Sequence, residues 1–204
     1  MKGLLLKYLK NILPTIGYYA FFMVVFYVVC ILSKNIIYFS SVCVVLGISV
    51  PTSAYVVDEK DNWDKFVLAA GMTKNQVVRS RYLFSVMLLL PLWILSAILI
   101  YILPVGERLD NVTIFFLFNG IGLILIAFIL PLEHKYGADK SRIVLLVLVV
   151  VGVFVCTMLG TILSNYTAGI SLTVWISVGF FVLGWIAIAI SLLVTQKIFE
   201  RKDF

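Results

Sequence analysis

Few residues in this chain have side chains that could carry a reaction. His134 is the only histidine, with Glu133 before it and Lys135 after it. A carboxylate beside an imidazole could do acid–base work or supply two metal ligands, but a zinc site takes at least three. The pair is expected to be a polar cluster at a membrane boundary. No Gly-x-Ser-x-Gly marks a nucleophile. The stretch Ala69-Ala70-Gly71-Met72-Thr73-Lys74 lacks the spaced glycines of a phosphate loop and follows no strand. The chain is therefore expected to bind no ATP, cofactor or metal of its own. Cys30, Cys43 and Cys156 all lie in apolar stretches and read as small hydrophobes.

A patterned polar segment, 58–81, points to docking instead of catalysis. Asp61 and Asp64 form a weak capping-box variant, and carboxylates suit a helix N-terminus. Trp63, Phe66, Val67 and Ala70 then recur at i, i+3, i+4 and i+7, one narrow apolar stripe with Asp64 and Lys65 on its polar flanks. Gly71 ends that helix. Thr73 with Gln76 is a stronger capping box and opens a second helix through Val77, Arg79 and Arg81 into the next apolar run. Such a stripe can rest on lipid headgroups or be offered to a protein partner, and the pattern by itself suits both.

The elements that must position this segment are membrane helices. Of 204 residues, 63% are hydrophobic and 13% charged, whereas a soluble domain is about a quarter charged. A spanning helix needs about 20 apolar residues. Six runs qualify: Thr15–Leu32, Ile36–Val57, Tyr82–Leu103, Val112–Leu132, Ile143–Leu163 and Ile170–Val194. None contains an acid, a base or a histidine. Of the 16 lysines and arginines, all but Lys34 and Arg108 fall at the N-terminus, after span two, after span four or in the tail. Positive residues stay cytoplasmic, so both termini and segment 58–81 are expected inside. The net charge of +6 reflects this bias and gives no reason to expect nucleic acid. The whole of 1–204 reads as one all-α transmembrane domain.

Residues 1–14 form a second amphipathic segment. Leu4, Leu5, Leu6, Tyr8, Leu9, Ile12 and Leu13 share one arc, while Lys7, Lys10 and Asn11 share the other with Gly3, and Lys2 precedes them. Pro14 blocks straight continuation. The segment reads as a helix in the membrane plane with lysines toward anionic headgroups, the alternative being an extension of span one. Within the spans, Pro51 and Pro91 suit either static kinks or hinges. The absence of a carboxylate or histidine there weighs against an ion-coupled transporter. The remaining polar residues read as packing contacts, with Asn119 beside Gly120 and Gly122 the most conspicuous.

Asp58, Glu59 and Lys60, then Trp63, Phe66 and Leu68, then Thr73, Lys74, Ser80, Arg81 and Tyr82 resemble the cytoplasmic segment of bacterial ABC-transporter permeases of the type-two exporter class. Gly71 stands where that class often has proline, and both residues break a helix. The resemblance extends to the topology of an in-plane helix and six spans. It implies a permease in the bacterial plasma membrane that dimerises with a second copy or a similar subunit. It also implies docking of two separate ABC ATPase subunits, which would hold the ATP and magnesium. Asp61, Trp63, Asp64, Lys65, Phe66, Val67, Ala70 and Gly71 would then form the coupling helix, and Lys2, Leu5, Lys7, Leu9 and Lys10 the interfacial one. Small permeases of this kind include exporters of phenol-soluble modulins, so amphipathic peptides or other hydrophobic molecules are the implied cargo. The alternatives are a non-transport membrane protein, such as an immunity or sensor-associated protein, or a secondary transporter.

Overall fold

The computed structural model describes residues 2–102, 108–137, 140–141, 143–144, 146–147 and 170–201. Among them the chain forms α1 (Lys2–Ile12), α2 (Ile16–Ser33), α3 (Ile37–Lys60), α4 (Trp63–Ala69), α5 (Lys74–Ile102), α6 (Arg108–Tyr136) and α7 (Ile170–Glu200). The described residues contain no strand, as expected of runs that must satisfy every backbone group internally in lipid. Five helices are long and apolar enough to cross a membrane: α2, α3, α5, α6 and α7. The expected span Ile143–Leu163 lies outside the described residues, except for helical positions at 143–144 and 146–147.

Helix α3 is the centre of the bundle and packs on α1, α2, α4, α5 and α6. Its inward residues include Phe39, Cys43, Leu46 and Val50. Helix α2 is the opposite case. Cys30 is its single buried residue, while Tyr18, Phe21, Phe22, Val24 and Leu32 are all exposed, an apolar surface suited to lipid. It ends at Lys34, which adopts the left-handed conformation, and Asn35 Oδ1 accepts the Ile37 N–H at 2.9 Å to open α3.

Helices α6 and α7 form the most extensive pairing. Glycines allow it: a Cβ built on Gly120 would lie 2.7 Å from the Phe180 carbonyl carbon, and one on Gly184 would lie 2.8 Å from Leu123 Cβ. Small residues let membrane helices approach backbone to backbone, where dispersion and not water exclusion holds them. Asn119 donates to the Phe115 carbonyl of its own helix at 2.8 Å, so its polarity is spent locally. Tyr82 joins α5 to α7 through hydroxyl contacts with Ser191 and Thr195 at 2.6 and 2.7 Å, and Ser191 donates in turn to the Ala127 carbonyl of α6. Trp93, Phe116, Phe181 and Trp185 pack edge-on between the same three helices.

Candidate functional site

Segment 58–81 folds as a helix, a glycine break and a second helix, in the order its pattern predicts. The break is a Schellman motif. Met72 N–H bonds the Val67 carbonyl at 3.2 Å and Gly71 N–H bonds Leu68 at 3.0 Å, with Gly71 at φ +85°. The expected capping box is reciprocal: Gln76 N–H donates to Thr73 Oγ1 at 3.3 Å, and Thr73 N–H donates to Gln76 Oε1 at 3.2 Å. From there α5 runs without interruption into its span.

The start of α4 departs from expectation. Asn62, in the left-handed region at φ 49°, precedes it, and no side chain caps it. Asp61 is exposed and does not act as a cap. Asp64 sits in the first turn but is drawn away to Arg81, whose Nη2 donates to its Oδ1 at 2.6 Å. A guanidinium is the stronger partner, because the hydrogen bond carries a full charge on each side.

The apolar stripe is also divided. Val67 is buried against the bundle and Trp63 is half-buried, whereas Phe66 is 63% exposed and Lys65, Ala70 and Gly71 are exposed with it. The Trp63 and Phe66 rings meet in a tilted contact, their centres 5.3 Å apart. Val67 thus anchors the helix, and Phe66 is its outward aromatic.

Helix α1 shows a similar division. It is separate from α2, broken at 13–15, but its apolar arc is split. Leu4, Tyr8 and Ile12 point into the protein, Leu5 is half-buried, and Leu6, Leu9 and Leu13 face outward. Lys10 is exposed as expected, while the side chain of Lys2 lies outside the described residues. Lys7 is engaged within the protein. Its ammonium bonds Asp58 Oδ1 and lies 3.8 Å from the centre of the Trp63 ring. A carboxylate with no exposure is a better partner than a screened headgroup. Burial holds the Lys7 pKa below its ordinary value, with the Asp58 bond pulling the other way.

These contacts converge on Arg81, which is 5% exposed. One nitrogen, Nη2, donates to Asp58 Oδ2 at 3.2 Å and Asp64 Oδ1 at 2.6 Å. The other, Nη1, lies 2.8 Å from His134 Nε2. His134 Nδ1 is 2.8 Å from the Leu130 carbonyl. A carbonyl can only accept and a guanidinium can only donate, so Nδ1 carries the proton and the imidazole is neutral. The guanidinium also sits 4.5 Å from the centre of the Tyr55 ring. Glu133 and His134 are completely buried in the protein, and Phe199 of α7 closes over the imidazole edge-on at 5.4 Å.

Arg81, Asp58, Lys7 and His134 were not identifiable as a set from sequence. Each stands at the end of an apolar run or on a short helix, where a charge looks like a topology signal. The available clue was Asp58, an acid standing directly after the second apolar run.

The contacts of the cluster are ionic and hydrogen-bonding ones that join helices. No three His, Cys, Asp or Glu side chains gather as a metal site among the described residues. The cavity beside Arg81, lined by Tyr8, Tyr55, Ser85 and Glu133, measures about 10 Å³. That is room for about one water, not a substrate. What the site can do is hold a helix in place.

The architecture agrees with comparison to known proteins. Residues 3–200 match the family model described as ABC-2 family transporter protein. No curated protein and no solved structure matches the chain. The resemblance seen in segment 58–81 is thereby borne out at the level of the family. With nearly its whole length matched and five described helices fit to cross a bilayer, the chain belongs to the ABC-2 transporter family as a multi-pass membrane permease.

Proposed function

We propose that this permease is the membrane half of an ATP-driven exporter, forming its translocation path as a dimer and powered by two separate ATPase subunits docked on residues 61–71. Family membership already makes it a transport subunit that works with ABC ATPases. The observation that carries the docking reading is Phe66. A large aromatic, 63% exposed, stands on a short helix whose inner side is pinned by Val67 and Asp64. Rigid exposed aromatics are the side chains that anchor protein interfaces. Lys65, Asp61, Ala70 and Gly71 of the same segment are exposed with it and would supply the polar and small-residue rim of an interface.

The basic-residue bias supports a cytoplasmic location for this end of the bundle, the compartment that holds ATP. An outward direction and a cargo of amphipathic peptides or other hydrophobic molecules rest on the resemblance to small exporters. The uncharged, aromatic-rich spans suit such a cargo.

Phe66→Ala tests the docking reading, since Phe66 takes no part in the ionic bonds of Arg81 and Asp64. Loss of an interface anchor costs about 2 kcal/mol, roughly a thirtyfold drop in affinity for the ATPase. The expected result is loss of ATPase co-purification from the host membrane, with insertion and permease yield unchanged. An undiminished ATPase yield would show that Phe66 faces lipid and not a partner.

A further inference from the structure

We propose that Arg81 is a positioning residue. It keeps the 63–69 helix folded and binds it, together with α1, to the transmembrane helices, so that α1, α3, α4, α5 and α6 move as one body. The proposal rests on the docking reading for its functional meaning, but its physical content stands apart from it.

A seven-residue helix cannot hold itself together in water; isolated helices are marginal below about 12–15 residues. Helix α4 must therefore be held by tertiary contacts. Its fully buried apolar contribution is Val67, with Trp63 half-buried, and its ionic contact to the bundle is Asp64 with Arg81. On its C-terminal side Gly71 breaks the helix as a left-handed joint, and on its N-terminal side Asn62 takes a left-handed turn. With the helix broken from its neighbours at both ends, its place against the bundle depends on Val67, Trp63 and the Asp64 contact.

Arg81 supplies the tie, and its fork is what makes it more than a counter-charge. One nitrogen serves Asp64 of α4 and Asp58 of α3, and the other serves His134 of α6, while the backbone belongs to α5. Asp58 then passes the connection to Lys7 of α1, whose ammonium also lies over Trp63. Arg81 and Asp64 stand 17 residues apart, so the covalent route between them runs through the Gly71 joint. The ionic route bypasses the joint. A push on Phe66 is thus delivered directly to three membrane-crossing helices and to α1, instead of being absorbed at a glycine.

The test is hydrogen exchange on the full chain in lipid nanodiscs, without any ATPase. The reporters are the amides of Phe66, Ala70, Gly71 and Met72, which close α4 and its cap. Asp64→Asn and Arg81→Lys should each speed their exchange by about tenfold or more, while amides in the membrane part of α5 and in α7 stay protected. A tenfold change corresponds to 1.4 kcal/mol of local opening. Lysine keeps the charge but presents a single nitrogen, so it cannot hold Asp58, Asp64 and His134 from two separate donors.

Wild-type exchange in Arg81→Lys would reduce Arg81 to charge balance and overturn the proposal. Unchanged exchange in Asp64→Asn would show that Val67 and Trp63 hold the helix without the ionic tie, with the same consequence. A uniform rise across α6 and α7 would mark general loosening and also refute it. Should Arg81→Lys fail to fold, Asp64→Asn, at the rim of the cluster with 16% exposure, decides alone. Phe66→Ala separates the two readings: it should leave this exchange unchanged, so retained ATPase binding there defeats the docking reading while the latch remains measurable.

Discussion

Asp58→Asn is the sharpest perturbation of the buried cluster. The substitution keeps the side chain's shape and removes its charge from a position with no solvent exposure. Two cations lose a partner, and they do not lose it equally. Arg81 cannot shed its proton but still holds Asp64 at 2.6 Å. Lys7 is left with the face of Trp63.

Breaking a buried ion pair from one side costs about 3–5 kcal/mol. Water can reach the edges of this cluster, since Lys7 is 18% exposed and Asp64 16%. The low end, about 3 kcal/mol, is therefore expected, more than a hundredfold in the unfolding equilibrium. Equilibrium unfolding in mixed micelles, followed by helical circular dichroism, reads this directly.

The pH dependence gives a second check. Burial depresses the Lys7 pKa in the folded protein, Arg81 acts in the same direction, and the Asp58 bond opposes both. Without Asp58 the depression deepens. Between the lowered folded value and the ordinary 10.5, the unfolded chain binds more protons than the folded one, so stability rises with pH. The defect of Asp58→Asn should therefore shrink as pH climbs toward 10.5, and Lys7→Met should relieve part of it at neutral pH. A cost under about 1 kcal/mol, typical of an exposed pair, would refute the buried-cluster reasoning. A defect that grows with rising pH would refute the Lys7 assignment.

Two further outcomes follow from the packing. Gly120→Ala places a methyl against the Phe180 backbone and should destabilise the α6–α7 pair by about 1–3 kcal/mol, seen as a lower unfolding midpoint; a neutral result would mean the helices are not in backbone contact. Tyr82→Phe removes a hydroxyl shared by Ser191 and Thr195 and should cost about 1–2 kcal/mol in the same assay, whereas Thr195→Ser, which keeps the partner, should cost less.

Much of the fold was legible because a bilayer narrows the options. Long uncharged apolar runs can only be helices, and five of the six expected spans coincide with described helices. The Gly71 stop and the Thr73–Gln76 capping box were legible for a similar reason: both are local devices, closed within a few residues of backbone. Periodicity was less informative about facing. It grouped Leu4, Leu6, Leu9 and Tyr8 on one arc, yet protein takes Leu4 and Tyr8 while Leu6 and Leu9 are left outward. Lipid and protein interior are equally apolar, so hydrophobicity cannot distinguish an inward leucine from a lipid-facing one. The same ambiguity joined Val67 to Phe66, which the bundle separates into an anchor and an exposed ring.

Charges were misread for the opposite reason. Lys7, Arg81 and Asp64 were assigned to headgroups, topology and capping, each a reasonable role for a charge considered on its own helix. A charge's role depends on which opposite charge is nearest in space, and Asp58 lies 51 residues from Lys7 and 23 from Arg81. The sequence by itself determined that this protein is a helical membrane protein with a punctuated polar segment, because solvent and backbone constraints act locally. Only the tertiary structure decided that one arginine of this segment joins α5 to α3, α4 and α6, and through Asp58 to α1, because Coulomb attraction in a dry interior follows distance through space and not position along the chain.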